Sequence, residues 1–301
     1  MIVYHKNNEI DREQWDNCIR NTPGAKPYAY SWYLDIMAPG WQALVDDDYD
    51  SVFPVPGYTR FGIQYITTPV FLQQLGAYSP ENSSTKVIKE FLDYMPDFYK
   101  FIDLCVRQKT GDNVFKVSEK INYELDLSRP YESLAGNFSD HCTKSIHSSA
   151  GKKPEIVSDI TPDEIINLFI DNKGNQLKGI KDHDYNHLKN LINFCLKNKK
   201  GRVIGVRGTR RRLIFAIFII EIRGITTTLF VACTLQSLEK RINYFVVNEL
   251  IKKMASTKTI FDFAGLSVPS SASFCESFGC ARVPFYRIYK NRLFWPLKML
   301  K

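Results

Sequence analysis

The seven cysteines of this 301-residue chain lack any paired arrangement. They are scattered along the sequence without a Cys-x-x-Cys pair, and their number is odd. This pattern disfavours both a complete disulfide framework and a zinc ribbon. Several of the cysteines lie in apolar runs, where a thiol serves as a small core side chain. We therefore expect unpaired cysteines and a cytoplasmic location, where thiols stay reduced.

The sequence also lacks a stretch with the composition of a signal peptide or a membrane span. Its first residues, MIVYHKNNEIDREQW, turn polar after three apolar positions, so we expect no signal peptide. The longest apolar run, LIFAIFIIEI at 213–222, has about half the length that a membrane-spanning helix needs. We predict that this run is a buried strand. The composition, 44% hydrophobic and 24% charged, is typical of a globular protein with its own core.

Acidic residues are scarce in the second half of the chain. Residues 1–150 carry 14 Lys+Arg against 20 Asp+Glu, a net charge of −6, whereas residues 151–301 carry 26 against 12, a net charge of +14. The stretch KNKKGRVIGVRGTRRR at 197–212 contains eight basic residues and no acidic one. Two interpretations stay open: the second half faces an anionic partner, or its basic groups are solvated surface and loops.

The predicted elements follow a similar order in both halves: strand, helices, antiparallel strands, helix, strand. Thr161, Pro162 and Glu164 form the typical start of a helix. Residues 236–254 place apolar side chains four apart, which predicts one amphipathic helix. No repeat of fixed period relates the halves. We predict an α+β protein with domains at 1–150 and 151–301, each having a mixed, mostly antiparallel sheet flanked by helices.

The sequence resembles the FemAB-like proteins, tandem GNAT-fold proteins that include the Fem-type peptidoglycan cross-bridge aminoacyltransferases. The family pattern has an aromatic-Asp-Phe-x-Gly strand end, a short helix, a Phe-Gly and a final tyrosine-bearing strand. The matching positions here are Phe261, Asp262, Phe263, Gly265, Phe278, Gly279 and Tyr286. The segment TTPVFLQQLGAYS at 67–79 is similar to a segment with proline and Gln-Gln-Leu-Gly in FemAB-like proteins. The resemblance implies two tandem GNAT-like domains and an N-acyltransferase.

The chain departs from ordinary GNAT enzymes in the loop that holds the coenzyme A pyrophosphate. That loop is rich in glycine, whereas the corresponding stretch here, VACTLQSLEKR at 231–241, contains none. Fem-type proteins share this departure, so both aminoacyl-tRNA and acyl-CoA stay open as the donor, with no bound cofactor expected. Thr234, Ser237, Lys240 and Arg241 are the candidate donor-binding residues. The alternative is a capped helix with a solvated face.

The resemblance implies direct attack of an amine on a thioester or ester, which needs a proton acceptor but no metal. Asp262 is the first candidate, because an apolar setting raises the pKa of a carboxyl group. Alternatively, Asp262 caps the turn at Gly265. Glu221 is a second candidate at a strand end, unless it only pairs with Arg223. Tyr286 is a candidate proton donor, unless it packs in the core.

Gln73, Gln74 and Tyr78 are the candidate substrate-binding residues, expected near a cleft between the halves. Consecutive amides among apolar residues need polar partners, from the backbone or from a ligand. The expected acceptor is an amine, for example that of a cell-wall precursor. The segment NRLFWPLKMLK at 291–301 predicts either peripheral membrane contact or a packed tail.

Two other functions are open to this sequence. One is a GNAT-fold binding protein that has lost catalysis, as the missing glycine loop suggests. The other is nucleic-acid binding through residues 197–212, which is disfavoured because that run has no aromatic residue on which a base would stack. The oligomeric state is left open.

Overall fold

The computed structural model describes residues 1–46, 48–81, 85–111, 114–174, 179–264 and 271–295. It mixes helices and sheets, which confirms the predicted α+β class. The chain divides into two compact units. The first consists of Met1–Ile121 and Pro284–Lys301, and the second of Asn122–Val283.

The first unit contains two sheets and three α-helices in its described residues. One sheet is antiparallel and has the order β1 (Ile2–His5), β2 (Gln42–Asp46), β3 (Ser51–Val55). The other has the order β4 (Gly57–Arg60), β5 (Ile63–Thr67), β6 (Tyr99–Val106), β13 (Ala281–Asn291), and only β5 and β6 are parallel. The helices are α1 (Arg12–Asn21), α2 (Ser31–Met37) and α3 (Thr85–Asp93).

The start of α1 shows how the sequence builds this unit. The Asp11 carboxylate accepts hydrogen bonds from the backbone N–H groups of Glu13 and Gln14 at 2.9 and 3.0 Å. This contact satisfies two of the unpaired donors at the helix start. Trp15, in the first turn of α1, packs against Trp41 with ring centroids 4.7 Å apart, and both side chains are fully buried. The helix is thus capped at its start and anchored in the core.

The second unit contains one sheet flanked by helices. Its strands have the order β7 (Lys116–Asp126, which enters the unit at Asn122), β12 (Ile260–Asp262), β11 (Ile225–Cys233), β10 (Leu213–Ile222), β9 (Gly201–Arg207), β8 (Ile156–Val157). Only β11 and β12 are parallel. The helices are α4 (Tyr131–Ala135), α5 (Asp140–Ala150), α6 (Pro162–Asn172), α7 (Asp182–Lys197), α8 (Leu235–Glu239), α9 (Ile242–Met254) and α10 (Ala272–Ser277).

The boundaries of the two compact units differ from the boundary predicted at residue 150. The end of β7 pairs with β12 through Leu125 and Phe261, and α5 packs against α9, so residues 122–150 belong to the second unit. Conversely, β13 pairs with β6 through Ile288 and Leu104, so the last 18 residues, 284–301, belong to the first unit. Contacts between distant segments decide this grouping. The tandem GNAT arrangement stays a prediction.

Some predicted elements differ in detail. The apolar run 213–222 is indeed a buried strand, β10, with Phe215–Ile220 almost fully enclosed. The predicted helix over 236–254 is instead two helices, α8 and α9, because Arg241 between them adopts a left-handed conformation with φ 59°. Helix α2 had no clear sequence signal.

All seven cysteines are free, as predicted, and six of them are buried. Burial raises the pKa of the Cys195 thiol to about 12. Within the described part of the chain, no helix is long and apolar enough to cross a membrane. Of the segment predicted to contact a membrane, residues 296–301 lie outside the described residues. Phe294 and Trp295 are 66% and 76% exposed.

Candidate functional site

The parallel strands β11 and β12 are paired over three residues, and β12 ends there. The last pair joins Thr227 to Asp262. Beyond it, β11 continues along β10 to Cys233, whereas the chain after β12 stays with β7, where the Phe263 N–H donates to the Tyr123 carbonyl at 3.0 Å. On the side of β11 facing away from β10, the recorded strand pairing ends at Thr227, before residues 228–233.

A β-bulge in β11 follows immediately after the last pair with β12. Phe218 of β10 pairs with Phe230, but Ile219 pairs with Thr228, so Leu229 is an extra residue. A bulge bends a strand and increases its twist, which fits the end of the pairing with β12 at Thr227. Because bulges are frequent beside active sites, this end of β11 is a candidate site.

The side chain of Asp262, at the last pair of β11 and β12, is fully buried. Its Oδ1 accepts hydrogen bonds from the Asn122 amide at 2.8 Å and from the Ala264 N–H at 3.1 Å. Its Oδ2 accepts one from the Thr227 hydroxyl at 3.3 Å, and its carbonyl accepts one from the Thr228 hydroxyl at 3.1 Å. Asp262 therefore ties β7, β11 and β12 together.

The Ala264 contact is of the kind expected if Asp262 caps a turn. The turn residue named for that role, Gly265, lies outside the described residues. The catalytic role of Asp262 stays a prediction, and its burial favours a positioning role in the state that the structure shows.

Phe263, the residue directly after β12, belongs to a cluster of aromatic rings. Phe263 lies with its ring centroid 6.1 Å from that of Phe278, and Phe278 is in turn 5.9 Å from Tyr244 and 5.3 Å from Phe274. Gly279 follows with φ 70°, and a Cβ there would lie 3.0 Å from the Asn137 carbonyl oxygen. The Phe-Gly motif thus has a packing role in this fold.

Glu221 and Asp262 lie on opposite faces of the sheet. Ile220 pairs with Thr227, which pairs with Asp262, so these three side chains share one face. Glu221 is one residue further along β10 and faces the other side. Its carboxylate accepts a hydrogen bond from Arg202 of β9 at 2.8 Å, so its ion-pair partner differs from the suggested Arg223.

The predicted donor-binding hydroxyls are used within α8. Thr234 caps this helix by accepting from the Ser237 N–H at 3.1 Å, and the buried Ser237 hydroxyl donates to the Thr234 carbonyl at 2.7 Å. Lys240 ends α8, and the exposed Arg241 precedes α9. The predicted cap is confirmed. Donor contact by these residues stays a prediction.

The candidate substrate-binding residues lie in the first unit, in the segment between β5 and α3. Gln74 is buried, and its amide nitrogen donates to the Gln73 side-chain oxygen at 3.0 Å. Tyr78 is buried as well, and burial raises the pKa of its hydroxyl to about 12. Tyr286 also belongs to this unit, where it is half-buried and pairs with Val106 of β6. No contact in the structure assigns these residues a substrate.

The sequence reasoning missed Arg107, which packs against this segment. Its guanidinium carbon lies 5.5 Å from the centre of the Tyr78 ring, and its Nη2 donates to the Pro23 carbonyl at 2.9 Å. Its Nη1 is buried and has no hydrogen-bond partner among the described residues. Gly76, at φ 140°, leaves no room for a Cβ beside Arg107. No local pattern marks Arg107, because its partners are distant in sequence.

No protein-family profile and no curated protein sequence matches the chain. Solved structures do match it. FemX has a TM-score of 0.62 and 10% identity, covering 97% of this chain and 98% of FemX. L-PGS of Bacillus licheniformis has a TM-score of 0.56 and 11% identity, covering 96% and 95%. The C-terminal domain of a predicted lysylphosphatidylglycerol synthetase of Agrobacterium fabrum has a TM-score of 0.59 and 7% identity, covering 96% and 94%.

The chain therefore has the fold of FemX and of these synthetase structures over nearly its whole length. The match to FemX confirms the resemblance to FemAB-like proteins at the level of the fold. At identities of 7–11% the likeness is one of fold alone.

Proposed function

We propose that this protein is an acyltransferase that moves an acyl or aminoacyl group from a carrier to an amine by direct attack. The observation that carries the proposal is the end of the β11–β12 pairing at the buried Asp262, in a chain with the fold of FemX. A second support is the fold shared with a structure whose name describes a lysylphosphatidylglycerol synthetase.

The strand edge at residues 228–233 suits this chemistry. An edge offers alternating backbone N–H and C=O groups, to which an extended, amide-bearing chain adds like another strand. A backbone N–H at the Leu229 bulge is a suitable donor for the oxyanion that develops when an amine attacks an ester or thioester. In this proposal, Asp262 holds Thr227 and Thr228 in place, and the edge orients the reacting group.

An aminoacyl-tRNA is the donor that this geometry favours over acyl-CoA. Thr234 and Ser237 already satisfy polar groups at the start of α8, and the stretch before α9 contains no glycine. A tight pyrophosphate cradle of backbone N–H groups is therefore not what this loop is built for. Exposed basic residues such as Arg241 suit a longer polyanion instead. An amine, such as that of a cell-wall precursor, is the proposed acceptor.

The test is a donor screen with the whole chain. Acetyl-CoA, a long-chain acyl-CoA and a mixture of aminoacyl-tRNAs are each added, and the melting temperature is measured. A donor at about 100 times its Kd stabilises the folded state by about 2.7 kcal/mol, which gives a clear upward shift. Transfer of a labelled acyl or aminoacyl group to a panel of amines then tests the reaction. The absence of a shift with every donor contradicts the proposal.

A binding protein without catalysis is the second candidate function. The observation in its favour is again the occupied helix cap at Thr234 in place of a glycine loop. The screen separates the two candidates. Stabilisation by a donor without transfer to any amine supports the binding protein, whereas transfer at any rate above the uncatalysed reaction supports the enzyme.

A further inference from the structure

A cleft of about 650 Å³ lies in the second unit, between the β8–β9 end of the sheet and α9. The C-terminal end of α9 lines it with Glu249, Leu250, Lys252 and Lys253. Arg241, the candidate donor contact, precedes the opposite end of the same helix. Because α9 has 13 residues, its ends are roughly 20 Å apart at a rise of about 1.5 Å per residue. The cleft is thus separate from the proposed donor contact.

Much of the cleft wall is apolar. Ile156 and Val157 of β8, Ile204 of β9 and Leu250 of α9 contribute to it. Ile156 is 39% exposed on an edge strand, where a large apolar side chain gains nothing from water. Cleft volumes of about 300–1,000 Å³ are typical of small-molecule sites. The wall and the volume together suit a small organic molecule.

The remaining wall is rich in positive charge. Arg202, Lys252 and Lys253 line the cleft together with one carboxylate, that of Glu249. Arg202 also forms an ion pair with Glu221 at 2.8 Å, and counting both carboxylates still leaves an excess of one positive charge. Neither lysine contacts a carboxylate within the described part of the chain. A cleft with apolar walls focuses this excess charge and attracts anions.

The ion pair with Glu221 restrains the guanidinium of Arg202, which is only 31% exposed. A restrained arginine loses little conformational entropy when it binds a planar or tetrahedral anion. Lys252 is also restrained, because its ammonium nitrogen lies 5.7 Å from the centre of the Tyr131 ring. The Tyr131 ring attracts the ammonium group but carries no net charge, so the positive charge of Lys252 is not neutralised by this contact.

A purely structural explanation accounts for only part of this arrangement. Lysines in the last turn of a helix stabilise it by interacting with the helix dipole, which explains Lys252 and Lys253. The helix dipole does not explain why Arg202, on β9, lines the same cleft as the two lysines. It also does not explain why the rest of the cleft wall is apolar. A ligand with an anionic head and a short apolar tail explains all three features.

We infer that this cleft binds a small amphiphilic organic anion. Its phosphate or carboxylate head contacts Arg202, Lys252 and Lys253, and its short hydrocarbon part lies on Ile156, Ile204 and Leu250. The site is independent of the acyl-transfer proposal, because none of its residues belongs to the strand edge or the donor contact described above.

The test is calorimetric titration of the whole chain with four probes: hexyl phosphate, hexanoate, hexanol and inorganic phosphate. We expect at least one of the two amphiphilic anions to bind about tenfold more tightly than both hexanol and inorganic phosphate, since only the anions use the charged and the apolar parts together. The tighter of the two anions identifies the head group. Equal binding of hexanol and both anions, or no binding of either anion at millimolar concentration, overturns the inference.

Two variants locate the site. K252Q/K253Q is expected to weaken the binding of the better anion about tenfold, because two charge-assisted contacts are lost. The matched control R210Q/R211Q removes two positive charges from exposed positions of the same unit, outside the cleft, and is expected to leave affinity within twofold. Equal weakening by both double variants shows a general charge effect and overturns the inference.

Discussion

The buried carboxylate of Asp262 is the residue on which the second unit depends most visibly. Asn122, Thr227 and Asp262 are all fully buried, and they come from three neighbouring strands. A buried polar group costs about 1–3 kcal/mol when its hydrogen-bond partner is removed, and more when it is charged. The cluster is therefore stable only as a complete set.

Replacing Asp262 is expected to lower stability strongly. Asp262→Ala removes the 2.8 Å acceptor of the Asn122 amide and the 3.3 Å acceptor of the Thr227 hydroxyl, so the free energy of unfolding is expected to fall by about 3 kcal/mol. Asp262→Asn keeps one acceptor oxygen, so a loss of about 1–2 kcal/mol is expected. Urea unfolding of the whole chain measures both.

The control for this series is Thr227→Val, which removes only the 3.3 Å contact and is expected to cost about 1 kcal/mol. Activity separates positioning from proton transfer. If Asp262→Asn abolishes transfer yet keeps the stability of the unmodified protein, Asp262 acts as the base and the positioning interpretation fails.

At the scale of the element, the break between α8 and α9 is a local backbone feature. Arg241 has φ 59° and ψ 28°, a left-handed conformation that costs a residue with a Cβ about 1 kcal/mol. Thr234 caps α8 before the break, and buried residues such as Val246 and Leu250 anchor α9 after it. Two anchored helices impose the strained conformation on Arg241 between them.

Arg241→Gly separates the backbone role of this residue from its charge. Glycine adopts the left-handed conformation freely, so this variant is expected to raise the free energy of unfolding by about 0.5–1 kcal/mol, whereas Arg241→Ala is expected to leave it nearly unchanged. Thermal or urea unfolding measures the difference. If Arg241 contacts an anionic donor, both variants weaken donor binding by the same factor, and unequal weakening contradicts a role for the charge.

The start of α6 provides a pH-dependent contribution to stability. The Glu164 carboxylate accepts hydrogen bonds from Arg207 at 2.8 Å and from the Thr161 N–H at 2.9 Å. The Arg207 contact is the main reason that the pKa of Glu164 lies below its ordinary value of 4.5. Because the folded-state pKa is lowered, the contribution is fully present above about pH 4.5 and is lost as the pH falls through the folded-state pKa.

Arg207→Gln is accordingly expected to lower the free energy of unfolding at pH 7. This loss is expected to become progressively smaller as the pH falls below 4.5, the ordinary pKa of Glu164. Urea unfolding of both proteins at several pH values between 7 and about 3 measures the difference. Glu164→Gln serves as the companion variant. Its destabilisation relative to the unmodified protein is also expected to become smaller as the pH falls below 4.5. A destabilisation that is constant with pH argues against this ion pair as its source.

For the whole molecule, the distribution of charge is different when it is counted over the two compact units. The first unit carries 17 Lys+Arg against 16 Asp+Glu, a net charge of +1, and the second carries 23 against 16, a net charge of +7. The contrast between −6 and +14 in the sequence halves is therefore much reduced. The second unit is still the more basic one, which keeps it the better candidate for contact with a polyanionic donor.

Salt dependence distinguishes an aminoacyl-tRNA from a small donor. If four phosphates are contacted, the affinity for the tRNA is expected to fall roughly hundredfold between 50 and 200 mM salt, because each contact releases counterions. Filter binding or fluorescence anisotropy across this range measures the slope. The control is an RNA analogue whose backbone phosphates are chemically neutralised. If the affinity for the natural tRNA does not change with salt concentration, contact through phosphates is contradicted.

The sequence by itself determined the class of fold, the strand at 213–222, the caps at Thr161 and Thr234, and the unpaired state of the cysteines. These features depend on interactions within a few residues or on composition, which a local pattern records fully. The FemAB-like resemblance added the expectation of fold that the match to FemX bears out. The resemblance pointed to Asp262, but it did not predict which side chains contact that residue.

Tertiary structure alone decided which segments share a unit and which side chains meet. Asn122 reaches Asp262 across 140 residues of sequence, Arg202 rather than Arg223 pairs with Glu221, and the last strand belongs to the first unit. Glu221 and Asp262 look equivalent as carboxylates at strand ends, yet strand register places them on opposite faces. The physical reason is that pairing between distant strands follows from burial of the whole core, and a single residue of register decides on which face a side chain lies.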